Sequence, residues 1–492
     1  MGPLRCDIVE RLRKAAMFIS FVLIANIARS GATSETRIEQ MQIYQYDNYE
    51  ECRHTYSDFV YCSTKAHLTP SLDSALWDEI MIANTGNLLQ CFSLARNLPK
   101  LIERETNLRH LDGIRALTML IILLTHSTIP LIRMPLKNAN DLEAQFSQPW
   151  FPVAMAGNTY TVQIFFVIGG LLLAVNTLEQ FKHRDNVGLA YFLDRVKIRL
   201  IRILPLYLFV ILFHASWYPR LYEGPIGDRF KDHCTTNWWT NVVFLNNYIN
   251  ASEPCIQFAW YLGADFQLYL LGTALMIVMR IPKLFKPTLV CMLLGAFLGP
   301  MIVIYRYHLD ATVMMILRYV LQEIRTLPYY LRVYIPFETN AGNYFFGMLA
   351  GIAYSRLKDN PSATSILKVA YRFRYPSVPC FVLNYLLPIS AAFFLAMNGL
   401  TMLLPSDHLS QPSIGLALFG TMLKSGWGIF PSVLLLYIAF EKRPAWLVAA
   451  LQHPILLVAS KLSYSIYLIQ YAIVYTVYKH ITYPLVYNSF TI

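Results

Sequence analysis

The chain has 492 residues, of which 55% are hydrophobic and 14% charged, with a mean hydropathy of +0.40. Soluble globular proteins carry about 25% charged residues, so the composition excludes an ordinary aqueous surface and indicates a membrane protein. The formal net charge of +11 does not indicate nucleic acid. The basic residues stand in short clusters between apolar runs, as loops on the cytoplasmic side of a membrane do.

In chain order, residues 1–30 read as a signal sequence or anchor. Arg5, Arg11, Arg13 and Lys14 precede the short apolar stretch from Ala15 to Ala28. Residues 31–90 form a polar segment with Cys52 and Cys62 and no run long enough to span a bilayer, which takes about 20 mostly apolar residues. Core helices are predicted at 112–131, 159–178, 198–216, 257–279, 286–305, 341–356, 377–399, 413–440 and 461–482, the eighth tilted or kinked near Pro431. The fold class is therefore an all-α polytopic membrane protein of about nine core transmembrane helices behind a short cysteine-containing polar segment.

Basic clusters at 96–109, 182–202, 280–286, 356–374 and 441–443 fall on one side of the membrane if residues before the first core helix are cytoplasmic. The alternate loops then face the lumen or exterior. They include 217–256, with Cys234, Cys255 and the glycosylation sequon Asn250-Ala251-Ser252. In an oxidising compartment Cys234 with Cys255, and Cys52 with Cys62, are candidate disulfides. A cleaved signal conflicts with this topology, since it places 31–90 in the lumen with no helix to return the chain before Arg96.

The chemistry concentrates in the first core helix. Arg115 and His126 are eleven residues apart, which returns to within about 20° of the same helical face with a rise of about 16 Å. Ionisable side chains inside a membrane usually face a polar cavity. An imidazole can take a proton from a hydroxyl near neutral pH, and a guanidinium can hold phosphate. The structural alternative is a snorkelling Arg115 and an interhelical hydrogen bond from His126. The histidines show no metal-ligand spacing, and there is no phosphate-binding glycine loop, nucleophile elbow or HExxH.

The run Leu111-Asp-Gly-Ile-Arg-Ala-Leu117, with ten residues between Arg115 and His126, resembles the opening signature of the acyltransferase 3 family of membrane enzymes. More closely, it resembles the animal branch called nose-resistant-to-fluoxetine proteins. The resemblance recurs through 91–480: in Cys91–Asn97, in Gln163–Ala174, in the basic run Arg195–Tyr207, in Cys234–Asn247 with Cys255 and Trp260–Tyr269, and in Gly342–Gly351. It implies an acyltransferase domain over 91–492, preceded by a shortened remnant of the branch's polar domain at 31–90.

The resemblance also implies residue roles. His126 becomes the general base and Arg115 the donor contact. Arg199 and Arg202, otherwise positive-inside anchors, become contacts to the phosphates of a cytosolic acyl-CoA. Asp265 orients or charge-stabilises the imidazole, or else is a helix-start carboxylate at the luminal interface. Three departures stand against full conformity. Gly169 replaces a usual serine, Gln470 replaces a frequent histidine, and neither the helix preceding the domain nor a tenth core helix is visible.

The implied activity is transfer of an acyl group from acyl-CoA, a co-substrate rather than a bound cofactor, to a hydroxyl acceptor in or across the endoplasmic reticulum or plasma membrane. The implied partners are membrane lipids, the donor and the acceptor, with no nucleic acid. The alternatives are a non-enzymatic lipid or xenobiotic transport protein on the same fold, or an inactive remnant.

Overall fold

The computed structural model describes residues 108–132, 137–146, 148, 153, 159–184, 187–221, 225–312, 324–359, 385–403, 412–441, 445–479 and 485–486. Two compact units divide the chain, Met1–Glu103 and Arg104–Ile492, and every described residue belongs to the second. The expected signal at 1–30, the polar segment 31–90 and Cys52 with Cys62 lie outside the described residues.

The described chain is a helical assembly with no sheet. Its helices are α1 (His110–Ile132), α2 (Ala139–Phe146), α3 (Gln163–His183), α4 (Leu189–Ser216), α5 (Pro225–Val242), α6 (Trp260–Met279) and α7 (Pro282–Arg306). After a short π-helical turn, Tyr330–Tyr334, come α8 (Phe337–Asp359), α9 (Leu387–Gly399), α10 (Ile414–Lys424), α11 (Ile429–Glu441), α12 (Ala445–Leu451) and α13 (Pro454–Lys479). Local chemistry sets several starts. Pro282 and Pro454 occupy first helical positions, where a missing N–H costs nothing. Ser413 caps α10 by accepting from the Leu416 amide at 3.2 Å.

Among the described residues, six helical stretches are long and apolar enough to cross a membrane: 110–128, 163–183, 257–279, 282–306, 414–440 and 454–478. All six coincide with expected spans. The other three expected spans fall on α4, α8 and α9. Asp194, Arg195, Lys197, Arg199 and Arg202 make the first half of α4 too charged for a purely apolar span. That helix also begins at Leu189, well before the expected 198, so the basic cluster is helical rather than a loop. The described part of the seventh expected span starts at Tyr385.

The eighth expected span breaks at a 3-10 turn, Gly426–Gly428, and not at Pro431. Pro431 instead lies in the first turn of α11, where proline is tolerated. Gly428 is needed at the break, because a Cβ there would overlap the Asn343 side chain.

α3 and α8 form the centre of the bundle. Their backbones touch through Gly170, which faces the Tyr344 carbonyl, and Gly347, which faces the Val167 carbonyl; a methyl at either would overlap the opposing backbone. Phe166, Leu173, Leu268, Met276, Tyr344 and Met348 fill the space between α3, α6 and α8. α1 leans on α13 and turns Leu120, Ile121 and Leu124 outward. Apolar side chains on that outer face suit a lipid solvent.

Candidate functional site

The buried positions of α1 include Leu111, Ala116, Thr118, Met119 and Ile122, and the three- and four-residue steps through Leu111, Met119 and Ile122 pass through the half-buried Arg115 and end at the half-buried His126. The stripe expected from spacing is therefore the stripe that packs against the bundle. Three polar rungs join α1 to α13. Ser460 Oγ donates to Asp112 Oδ1 at 3.0 Å, His126 Nδ1 lies 3.0 Å from Gln470 Oε1, and Tyr478 Oη donates to the Ser127 carbonyl at 2.8 Å.

At one end of the stripe, Arg115 is about a third exposed, with Asp112 one turn before it at 3.8 Å. Arg202 on α4 and Asp265 and Tyr261 on α6 are close enough to act on it electrostatically. Arg199 forms an ion pair with Asp265, its Nη2 donating to Oδ2. The guanidinium carbon sits 4.0 Å from the centre of the Tyr269 ring. Arg115, Arg199, Arg202 and Asp265 thus form one charge cluster, in which one of three guanidinium groups has a carboxylate from another helix as its direct partner.

Asp265, expected either to orient the imidazole or to stand at a helix start, has a guanidinium as its direct partner. It is 8% exposed, in the second turn of α6. Its partner is Arg199, while the ring nitrogen of His126 is satisfied by Gln470. The ion pair joins the first half of α4 to the second turn of α6. Gly169 borders this pair. A Cβ built there would stand 3.5 Å from Asp265 Oδ1 and 3.2 Å from a Tyr344 ring carbon, so the family's usual serine would face the ion pair, and glycine leaves that space to Tyr344.

At the other end, the His126 ring lies 5.2 Å from that of Tyr471. Phe258, from the segment before α6, stacks on Tyr471 with centroids 4.8 Å apart and planes 11° from parallel. Tyr467 donates its hydroxyl to the Phe258 carbonyl and packs edge-on against Tyr261 at 5.9 Å. Aromatic rings thus run from the imidazole toward the charge cluster.

Cys234 and Cys255 are joined as a disulfide, closing the segment that delivers Phe258. Asn250 is exposed in a turn within this segment, with φ 49°, and its amide donates to Asn237 Oδ1 at 2.8 Å.

Sequence reasoning missed a second polar centre. Gln163 Nε2 donates to Asn340 Oδ1 at 2.8 Å, and Asn343 Nδ2 donates to Gln163 Oε1 at 2.9 Å and to the Lys424 carbonyl at 3.0 Å. Lys424 is fully buried. Its Nζ donates to the Tyr334 carbonyl at 3.2 Å and lies 5.0 Å from the centre of the Tyr334 ring. The one available signal was several amides at helix spacing within otherwise apolar runs. No group of metal-binding side chains occurs among the described residues.

With this geometry in view, comparison with known proteins is informative. The family model described as an acyltransferase domain, acyltransferase 3, matches residues 108–491. The chain is 25% identical over 206 residues to nose resistant to fluoxetine protein 6 of Caenorhabditis elegans, covering 38% of this chain and 24% of that protein. It is 26% identical over 234 residues to regulator of hypoxia-inducible factor 1 of the same organism, covering 43% and 44%. The chain thus spans less than half the length of both relatives. No solved structure matches. Because the family match covers more than half of the chain and takes in every described residue of the stripe, the charge cluster and α13, the chain belongs to the acyltransferase 3 family.

Proposed function

We propose that this multi-pass membrane protein moves an acyl group from an acyl-CoA-type thioester to a hydroxyl acceptor in or across the membrane. The observation that carries the reading is the α1 stripe, with a cation at one end and an imidazole about 16 Å further along the helix. His126 takes the proton of the acceptor hydroxyl as its oxygen attacks the thioester carbonyl. The tetrahedral intermediate then expels the thiolate of CoA, which recovers the proton from the imidazolium. Arg115 and Arg202 hold the donor phosphates. Arg199, neutralised by Asp265, shapes the wall between donor and base. The exposure of Asn250 supports a luminal, glycosylated 217–256 segment, in the endoplasmic reticulum or plasma membrane.

The test uses membranes from cells expressing the full chain, incubated with radiolabelled acetyl-CoA or palmitoyl-CoA. Wild-type membranes release free CoA and place label in a hydroxyl-bearing product, while His126→Gln membranes of equal folded yield do neither. If wild-type and His126→Gln membranes behave alike with both donors, the reading fails. Non-enzymatic movement of lipids or xenobiotics on the same fold then takes its place.

A further inference from the structure

The departure at position 470 gains a meaning from its partner. Gln470 reaches two groups at once: its Nε2 donates to the Tyr467 carbonyl at 3.1 Å, and its Oε1 lies 3.0 Å from His126 Nδ1. The amide has one donor end and one acceptor end. A carbonyl only accepts, so the NH2 end must face Tyr467; the reverse orientation would set two oxygens against each other. The oxygen is left facing the ring, and an oxygen without a proton accepts. His126 Nδ1 must therefore carry the hydrogen.

Nε2 is then the ring nitrogen with a lone pair, and among the described residues it has no protein partner. We infer that Gln470 is a positioning residue, holding His126 in the Nδ1–H tautomer so that an unprotonated Nε2 faces the acceptor hydroxyl. This inference rests on the acyl-transfer reading of His126 given above.

The choice of an amide matters physically. A carboxylate in the same place would favour the imidazolium, so that a larger fraction of the rings could not accept a proton at a given pH. A second histidine would add another titrating group to the pair. A neutral amide orients the ring without supplying a counter-charge, and it avoids burying an ion pair in a low-dielectric bundle. Nothing else near the ring performs that role. Among the described residues no carboxylate or cation acts on it, and the titratable groups packed beside it are the phenols of α13, Tyr471 and, stacked on it at 5.8 Å, Tyr475. From the segment before α6 the neighbour is Phe258, which is uncharged.

The first experiment needs no substrate. The full chain, labelled with 15N-histidine in lipid nanodiscs, gives signals from eleven histidines, and the one lost in His126→Gln identifies His126. The wild type shows protonated Nδ1 and unprotonated Nε2, and Gln470→Leu shows a mixture of tautomers.

The second follows CoA release from acetyl-CoA in membranes. Gln470→Leu lowers kcat by about 10- to 100-fold, the cost of removing a partner that orients a histidine, with KM nearly unchanged. Gln470→Glu keeps the Nδ1 proton but moves the acidic limb of the rate profile to higher pH, an effect that a packing role for Gln470 would not produce. Wild-type tautomer and kcat in Gln470→Leu, or an unmoved limb in Gln470→Glu, overturn the inference. Those outcomes leave the acyl-transfer reading intact if His126→Gln is inactive, whereas an active His126→Gln defeats that reading whatever position 470 does.

Discussion

Arg199 on α4 and Asp265 on α6 form an ion pair inside the bundle, roofed by the Tyr269 ring and bordered by Gly169. The pair is mostly shielded, with side chains 23% and 12% exposed. Removing one partner leaves the other charge without compensation. Asp265→Asn is expected to destabilise the chain by about 3–5 kcal/mol, whereas replacing both with apolar residues costs much less. Thermal unfolding in lipid checks this: Asp265→Asn melts lowest, and Arg199→Met with Asp265→Leu recovers most of the loss.

The close approach of α3 and α8 makes a contrast between glycines. Gly170→Ala drives a methyl into the Tyr344 backbone and should lower folded yield sharply, since helix backbone must shift to admit it. Gly295, within α7, has nothing within 4 Å of its added Cβ. Gly295→Ala should therefore be neutral or raise the unfolding temperature, by at most about 1 kcal/mol of helix propensity.

Lys424 tests whether a buried cation serves the fold. Its ammonium lies over the Tyr334 and Tyr160 rings and donates to the Tyr334 carbonyl, which also accepts from Asn340 Nδ2 at 2.9 Å. Lys424→Met removes a charge that is costly to bury and leaves that carbonyl satisfied. The unfolding temperature should stay level or rise. Asn343→Leu, which strips two donated bonds from buried acceptors, should lower stability by about 1–3 kcal/mol for each acceptor left bare.

The Cys234–Cys255 bridge closes a loop with a sequence separation of 21. A cross-link over that length is worth about 3 kcal/mol by chain entropy. The Cys234→Ser, Cys255→Ser double variant should melt lower by that amount. It should also loosen Phe258, read as faster exchange of the Ile256–Trp260 amides.

Much of this was legible in one dimension. Apolar runs located the long helices, and the 3.6-residue period placed Arg115 and His126 on one stripe, because both features depend only on near neighbours. The start of α4 was hidden by its charges, which break hydropathy without breaking a helix. The break before α11 was misplaced because Pro431 suits a first turn, while the glycines at 426 and 428 carry the bend. The partners were not legible. Asp265 and Arg199 are 66 residues apart, and Gln470 and His126 are 344 apart. Such pairings depend on how helices register against each other. That is why the sequence shows Gln470 only as a departure from a frequent histidine, and not as the partner of the imidazole.

The most direct test of the central claim separates donor binding from transfer in the full chain. Titration calorimetry with CoA in nanodiscs is set beside CoA release from acetyl-CoA, for wild type, Arg115→Met and His126→Gln. The account predicts that His126→Gln binds CoA like the wild type and releases none from acetyl-CoA, while Arg115→Met binds CoA at least 10-fold more weakly, the loss of about 1.4 kcal/mol. Release by His126→Gln at the wild-type rate, or no CoA binding by the wild type, would contradict it.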